Sequence, residues 1–289
     1  GTINVIANRL GPDPDAPGAR DPFKIGPAYS PERCAGIAEM QQKMGVSIFT
    51  TAEAGNYEQG RLLAVPLGWG DKRAGKEGVA LKDANYTLHG DDAGDITEGI
   101  HWHDKRLLLA EGKIITGPAA EVAYHNTATL ALFQDTTGSG VVFLSVGTHQ
   151  EYRPHGDTSA SVHDKMREKH TATLIVEAEK IAAAAATKYA KKVVPVVYSG
   201  DWNSDKDWFY DGPGKAMTAK GYIDAETKAT SKTGPDTTLN GYTSTKVTGS
   251  RVDRVFVKAG TSVGAMTTVP GFPWTDHNGV GVSLTLTNG

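Results

Sequence analysis

The chain has 289 residues, 39% of them hydrophobic, and a formal net charge of -3. That length and apolar content suffice for a large core, and the near-neutral balance excludes a global basic field of the kind that drives nucleic-acid binding by charge alone. A single cysteine, Cys34, excludes an internal disulfide framework, and no apolar run approaches bilayer length, so no stable membrane insertion is expected.

In chain order, the first run is "GTINVIAN", a strand ending at Asn8. Starting almost directly in a strand is expected if a signal peptide or an upstream domain has been removed from a secreted or larger protein. Residues 11–26, rich in Gly and Pro, read as a long surface loop. A helix is predicted over Pro31–Met44. "VSIFTTAEA" follows as a strand that ends at Glu53, and "RLLAVPLG" reads as another. "HWH" at His101–His103, with His125 not far on, lacks a third ligand at recognisable zinc spacing and reads as exposed strand histidines. "RLLLAEGKIIT", "TATLALFQ" and "VVFLSVGTH" are three more strands, the last ending at His149.

A long helix is predicted from Ser161 to about Lys191. Val162, Met166, His170, Leu174, Ala178, Ile181 and Ala185 follow the spacing of one buried face, with His170 a core histidine. Lys165, Arg167, Lys169 and Lys180 read as its solvated side, and Ser161 with Asp164 as a capping box. "VVPVVYSGDWN" is a buried strand delivering Asp201 and Asn203 to its end. Trp202 and Trp208 are core or rim residues that could also stack on a base. A short helix follows within "DKDWFYDGPGKAMTAKG", with Gly212–Met217 read as the turn before it. "RVDRVFV" begins through Asp253, and "VGVSLTL" follows Asp276 and His277.

Strands alternating with helices predict an α/β sandwich with helices outside two packed sheets, in one domain over 1–289. A carboxylate at the end of a buried strand costs stability unless it is paired or metal-bound. Singly, each polar strand end is a common turn residue. Six together suggest one cleft, holding carboxylates for a hard cation and a His–Asp pair for proton transfer.

With their order along the chain, these residues resemble the endonuclease/exonuclease/phosphatase superfamily typified by deoxyribonuclease I. The first-strand asparagine falls on Asn8, and the metal-binding glutamate on Glu53. The histidine of "NTH" falls on His149 in "GTH", and "GDxN" on Asp201 and Asn203. "xDRxxV" is matched at Asp253, and "SDH" by "TDH" at Asp276-His277. The departures are Ala52 for Gln, Gly147 for Asn, and "TDHNGVGV" without the usual proline.

The resemblance implies a four-layer α/β/β/α sandwich with two packed mixed sheets. It implies Mg²⁺, or Mn²⁺, held by Glu53, Asn8 and Asp276. His277 is the implied general base, oriented by Asp253. Asn203 and His149 would donate to phosphate oxygens, and Asp201 would orient the nucleophile or assist the leaving group. The expected activity is phosphodiester hydrolysis of nucleic acid, DNA favoured. Two alternatives stand beside it: a phospholipid or other phosphoester hydrolase, and a binding module on the same fold without catalysis. Inositol-phosphate members place an Arg two residues after the "GDxN" asparagine, where this chain has Asp205.

Overall fold

The computed structural model describes residues 1–4, 31–52, 87–89, 99–102, 107–116, 127–150, 162–241 and 248–289. The strands are β1 (Thr2–Asn4), β2 (Ile48–Ala52), β3 (Thr87–His89), β4 (Gly99–Trp102), β5 (Leu107–Thr116), β6 (Thr127–Asp135) and β7 (Val142–His149). They continue with β8 (Val196–Asp201), β9 (Tyr222–Asp224), β10 (Ser231–Thr233), β11 (Asp253–Lys258), β12 (Ser262–Val269) and β13 (Gly279–Thr285). The helices are α1 (Pro31–Met44), α2 (Val162–Lys188) and α3 (Gly212–Ala219), with a 3-10 turn at Ala225–Lys228.

Two mixed sheets result. One has the order β10-β12-β13-β1-β2-β4-β3, the other β5-β6-β7-β8-β11-β9. Within them β1 with β2, β10 with β12 and β7 with β8 run parallel, and the other pairs are antiparallel. This is the mixed α/β architecture expected from the sequence.

Strands β6, β7, β8 and β11 of the second sheet are buried on both faces, and the two-residue period sorts their side chains. Leu130 and Leu132 on β6, Leu144 and Val146 on β7, Val196 and Tyr198 on β8, and Phe256 on β11 form one core with Leu174, Ile175, Ala178, Ala182 and Ala185 of α2. The alternate residues face the first sheet. Ala131, Phe133 and Phe143 meet Ile100 of β4. Val255 and Val257 meet Val263, Met266 and Val280. Thr50 Oγ1 of β2 and Ser199 Oγ of β8 share a buried 2.9 Å hydrogen bond across the two sheets. Outside the first sheet, Ile37, Met40 and Met44 of α1 pack on Phe49 and Val269.

Helix α1 has the predicted bounds. Helix α2 is present, and from His170 onward its predicted face is the buried one: His170, Leu174, Ala178 and Ala185 are buried and Ile181 packs against them. The first turns differ. Val162 is 71% exposed, whereas Asp164, Arg167 and Thr171 are fully buried. In those turns polar side chains are buried in place of Val162, and a pattern read from hydrophobic residues alone misses them. Arg167 is therefore not on a solvated side: it donates to Asp164 one turn away, and pairing permits burial of both. Gly212–Met217 lies in helix α3 itself, capped by Asp211, whose side chain accepts from Gly214 N.

Gly200, in the "GDxN" stretch, sits where only hydrogen fits. Its φ is +154°, and a Cβ there would stand 1.8 Å from Thr148 O of the parallel neighbour β7. Gly200→Ala is expected to lower the unfolding free energy by about 1–3 kcal/mol through this overpacking. Urea denaturation checks it; a change under about 0.5 kcal/mol would contradict the close approach.

Candidate active site

Register assembles the site. In the parallel pair β7–β8, His149 stands opposite Asp201. In the antiparallel pair β8–β11, Asp201 stands opposite Asp253. The three lie in one row across the sheet, on the positions that alternate with the α2-facing core. The first sheet supplies the fourth member: His277, two residues before β13, reaches Asp253 through Nδ1 at 2.7 Å. His277 Nε2 lies 3.9 Å from Asp201 Oδ2 and 3.8 Å from Asp276 Oδ1, and His149 Nε2 lies 3.8 Å from Asp201 Oδ2.

The two-residue spacing of Asp201 and Asn203 has a local cause. Asp201 Oδ1 accepts from Asn203 N at 2.8 Å, an Asx-type turn. Asn203 then takes a φ of +46°, which asparagine tolerates. The turn carries its amide back to the neighbouring strand, where Nδ2 donates to Gln150 O at 2.9 Å and stands 3.1 Å from His149 Nε2. An amide N–H donates, so His149 Nε2 accepts and the proton of that tautomer sits on Nδ1.

Charge is concentrated here. Burial alone would push the His277 imidazole down, but Asp253, Asp276 and Asp201 outweigh it and hold His277 well above its ordinary value. Burial pushes the Asp253 carboxyl up, while the His277 charge and the Thr238 hydroxyl pull it back. The contact between them is a charge-assisted bond that fixes the ring with Nε2 toward the other carboxylates.

Six of the eight predicted site residues thus converge: His149, Asp201, Asn203, Asp253, Asp276 and His277. Asn8 and Glu53 lie outside the described residues. Asp201, Asp253 and His277 each offer a ligand atom within 4.8 Å of the others. Asp253 Oδ1 is buried with no hydrogen-bond partner among the described residues. The clustered carboxylate oxygens, one of them buried without a partner among the described residues, fit a hard divalent cation, with His277 beside them.

Solved structures of known proteins share this architecture. An endonuclease/exonuclease/phosphatase from Bacteroides vulgatus superposes with a TM-score of 0.72 at 17% identity, over 99% of this chain and 97% of that one. The fold is that of the endonuclease/exonuclease/phosphatase proteins. Bacteroides thetaiotaomicron mannosyl-6-phosphatase Bt3783 shares it at TM-score 0.70 and 17% identity, over 99% and 98%. So does D. rerio TDP2 in complex with a single-strand DNA product, at 0.57 and 13%, over 88% and 92%. No protein-family model and no curated protein sequence matches the chain.

Around the core of this endonuclease/exonuclease/phosphatase fold, several supporting residues were not foreseen. Thr238, Asn240 and Asn278 are buried and tie the segments carrying Asp253 and His277 together. Their only signal was a polar "TTLNG" cluster and an amide directly after "TDH". Trp202 does not stack at the cleft. It is fully buried, donates from Nε1 to Arg254 O, and meets Phe256 edge-on at 5.0 Å.

Arg254, next to Asp253, anchors the other side. Its guanidinium donates to Asp224 Oδ2 at 2.7 Å, Asp211 Oδ1 at 2.9 Å and Ser204 O at 3.3 Å. Burial would raise the Asp211 carboxyl, but Arg254, Gly214 N–H and Ser204 hold it below the usual range. Arg254→Met strands two carboxylates and is expected to cost about 3–5 kcal/mol in urea denaturation at neutral pH; a cost below about 1 kcal/mol would contradict the network. A lowered folded value also sets a sign. The stability Asp211 contributes is fully present above its unfolded value of about 3.9 and is lost as pH falls through the folded value. Acidification should therefore destabilise the unsubstituted protein more than Asp211→Asn, as read from urea midpoints across a pH series; equal losses would contradict it.

Proposed function

We propose that the chain is a divalent-metal-dependent phosphoester hydrolase that cleaves nucleic-acid phosphodiesters, DNA favoured. The observation that carries this reading is the 2.7 Å His277–Asp253 pair facing Asp201 and Asp276, with His149 and Asn203 beside it. Three carboxylates repel a phosphate unless a cation offsets them, which is why the reading requires metal. Asp201, Asp276 and the free oxygen of Asp253 would hold it, together with Glu53 and Asn8 by the resemblance of the motifs. When bound, Mg²⁺ or Mn²⁺ supplies Lewis-acid polarisation of a phosphate oxygen.

The chain's own groups do the rest. Asp253 keeps the His277 proton on Nδ1, so Nε2 is the atom that accepts a proton from the attacking water. A positioned base of this kind contributes roughly 10²–10⁴ in rate. By the resemblance, Asn203 and His149 would donate to the non-bridging oxygens; this requires the Asn203 amide to release His149 Nε2 and that nitrogen to take up a proton. Asp201, between the two imidazoles, orients the water or the leaving oxygen.

A second reading, a phosphomonoesterase, is favoured by one observation: the mannosyl-6-phosphatase superposes more closely than TDP2. Plasmid DNA, RNA, sphingomyelin, an inositol phosphate and mannose 6-phosphate, each with Mg²⁺ and with chelator, separate these readings. DNA cleavage that stops with chelator and falls by about 10² or more in His277→Ala is expected. Cleavage surviving both would refute the mechanism, and exclusive turnover of the monoester would move the assignment to a phosphatase.

The pH dependence has a definite sign. A general base must be deprotonated, and the surrounding carboxylates raise His277. kcat/KM is therefore expected to rise from pH 6 through neutrality toward alkaline pH. A rate flat over that interval, or falling with pH, would contradict His277 as the base.

A further inference from the structure

We propose that Thr238 is a positioning residue for the His277–Asp253 pair, holding the carboxylate through its hydroxyl and the imidazole through its backbone. The proposal rests on the hydrolase reading above and names a residue that reading does not use.

The starting point is an uncovered stretch of strand. On one side β11 pairs with β8 from Asp253 onward. On the other, β9 pairs only with Phe256–Lys258. Among the described residues the backbone at the start of β11 therefore has no strand partner on that side, at the residue the site most needs to fix. Thr238 takes the place of one. Its Oγ1 accepts from Val252 N and from Asp253 N, each at 2.9 Å. Its own N donates to Ser250 O at 3.0 Å. A buried backbone N–H demands an acceptor, and here one hydroxyl oxygen serves two.

The same residue reaches the imidazole side. Thr238 O accepts from Asn278 N at 2.7 Å, and Leu239 bridges His277. Asn240 N donates to Asp276 O, and Asn240 Nδ2 to Thr275 O and Asn278 Oδ1. Asn278 Nδ2 returns to Thr237 O at 2.8 Å. Residues 237–241 thus form a strap between two segments that come from different sheets. Among the described residues of the strap, Thr238 is the one whose side chain bonds the Asp253 backbone. Thr238 is fully buried. Its loss should therefore act on orientation, not on binding.

The test compares Thr238→Val, which keeps the shape and deletes the acceptor, with Thr238→Ser, which keeps the acceptor. On the DNA substrate with Mg²⁺, Thr238→Val is expected to lower kcat about 10- to 100-fold with KM unchanged, the range typical of groups that orient a catalytic histidine. Thr238→Ser should stay within about threefold of the unsubstituted protein. A second readout needs no turnover. The downfield Nδ1–H proton resonance of His277 should persist in Thr238→Ser and be lost to exchange in Thr238→Val, with the far-ultraviolet circular dichroism of both unchanged. If the unsubstituted protein cleaves no phosphoester, the hydrolase reading fails, and this resonance still decides the positioning role. Should Thr238→Val not fold, Thr238→Cys, with its weak acceptor, replaces it. Unchanged kcat and an unchanged resonance overturn the proposal. So does a rise in KM without loss of kcat, or unfolding of both Val and Cys variants, which would assign Thr238 a purely structural part.

Discussion

The register of β7, β8 and β11 is the constraint on which the site depends. Side chains on a strand alternate between faces, so a one-residue slip in either pairing would send Asp201 or Asp253 into the α2-facing core. The register is held by what lies on that other face: Leu144, Val146, Tyr198 and Phe256 against α2. It is also held by Gly200, where β7 and β8 approach too closely for any side chain. Hydrophobic burial on one side thereby fixes charge placement on the other. The site needs no interaction of its own to bring His149, Asp201 and Asp253 into a row.

Placing buried carboxylates together is unfavourable unless they are compensated, and two solutions sit side by side. Arg254 gathers Asp211, Asp224 and the Ser204 carbonyl into a closed, fully paired network. One residue earlier, the Asp253 carboxylate bonds His277 through Oδ2, and its Oδ1 is buried without a hydrogen-bond partner among the described residues. The first arrangement is a structural anchor. The second is incomplete in the way that suits a cation and a proton acceptor. Adjacent residues of a strand point to opposite faces, so "DR" places the Arg254 network and the Asp253–His277 contact back to back.

Much of this was legible in the sequence. Helix α1, strands β5 to β8, β11 and β13, and the polar strand ends all carried clear local signals: β-branched runs, turn clusters, and Asp or His where apolar residues stop. Strands β9, β10 and β12 did not. β12 reads "SVGAMTTV", in which Gly264, Ala265 and the threonines dilute the apolar alternation. The buried face of α2 was legible from His170 onward, but in its first turns Arg167 looked exposed because its partner Asp164 resembled a capping residue. Thr238 was invisible for a different reason. Its role depends on a gap between β9 and the start of β11, a fact of tertiary pairing that leaves no trace in the pattern around it.

The central claim is that strand ends from two sheets surround one cation site. Paramagnetic broadening by Mn²⁺ tests it most directly. Ring resonances of His149 and His277 are followed as substoichiometric Mn²⁺ is added to the intact protein. Both rings stand within 4 Å of Asp201, so both should broaden together, and Asp201→Asn should weaken the effect on both. Broadening of one ring without the other, or of neither, would contradict the account.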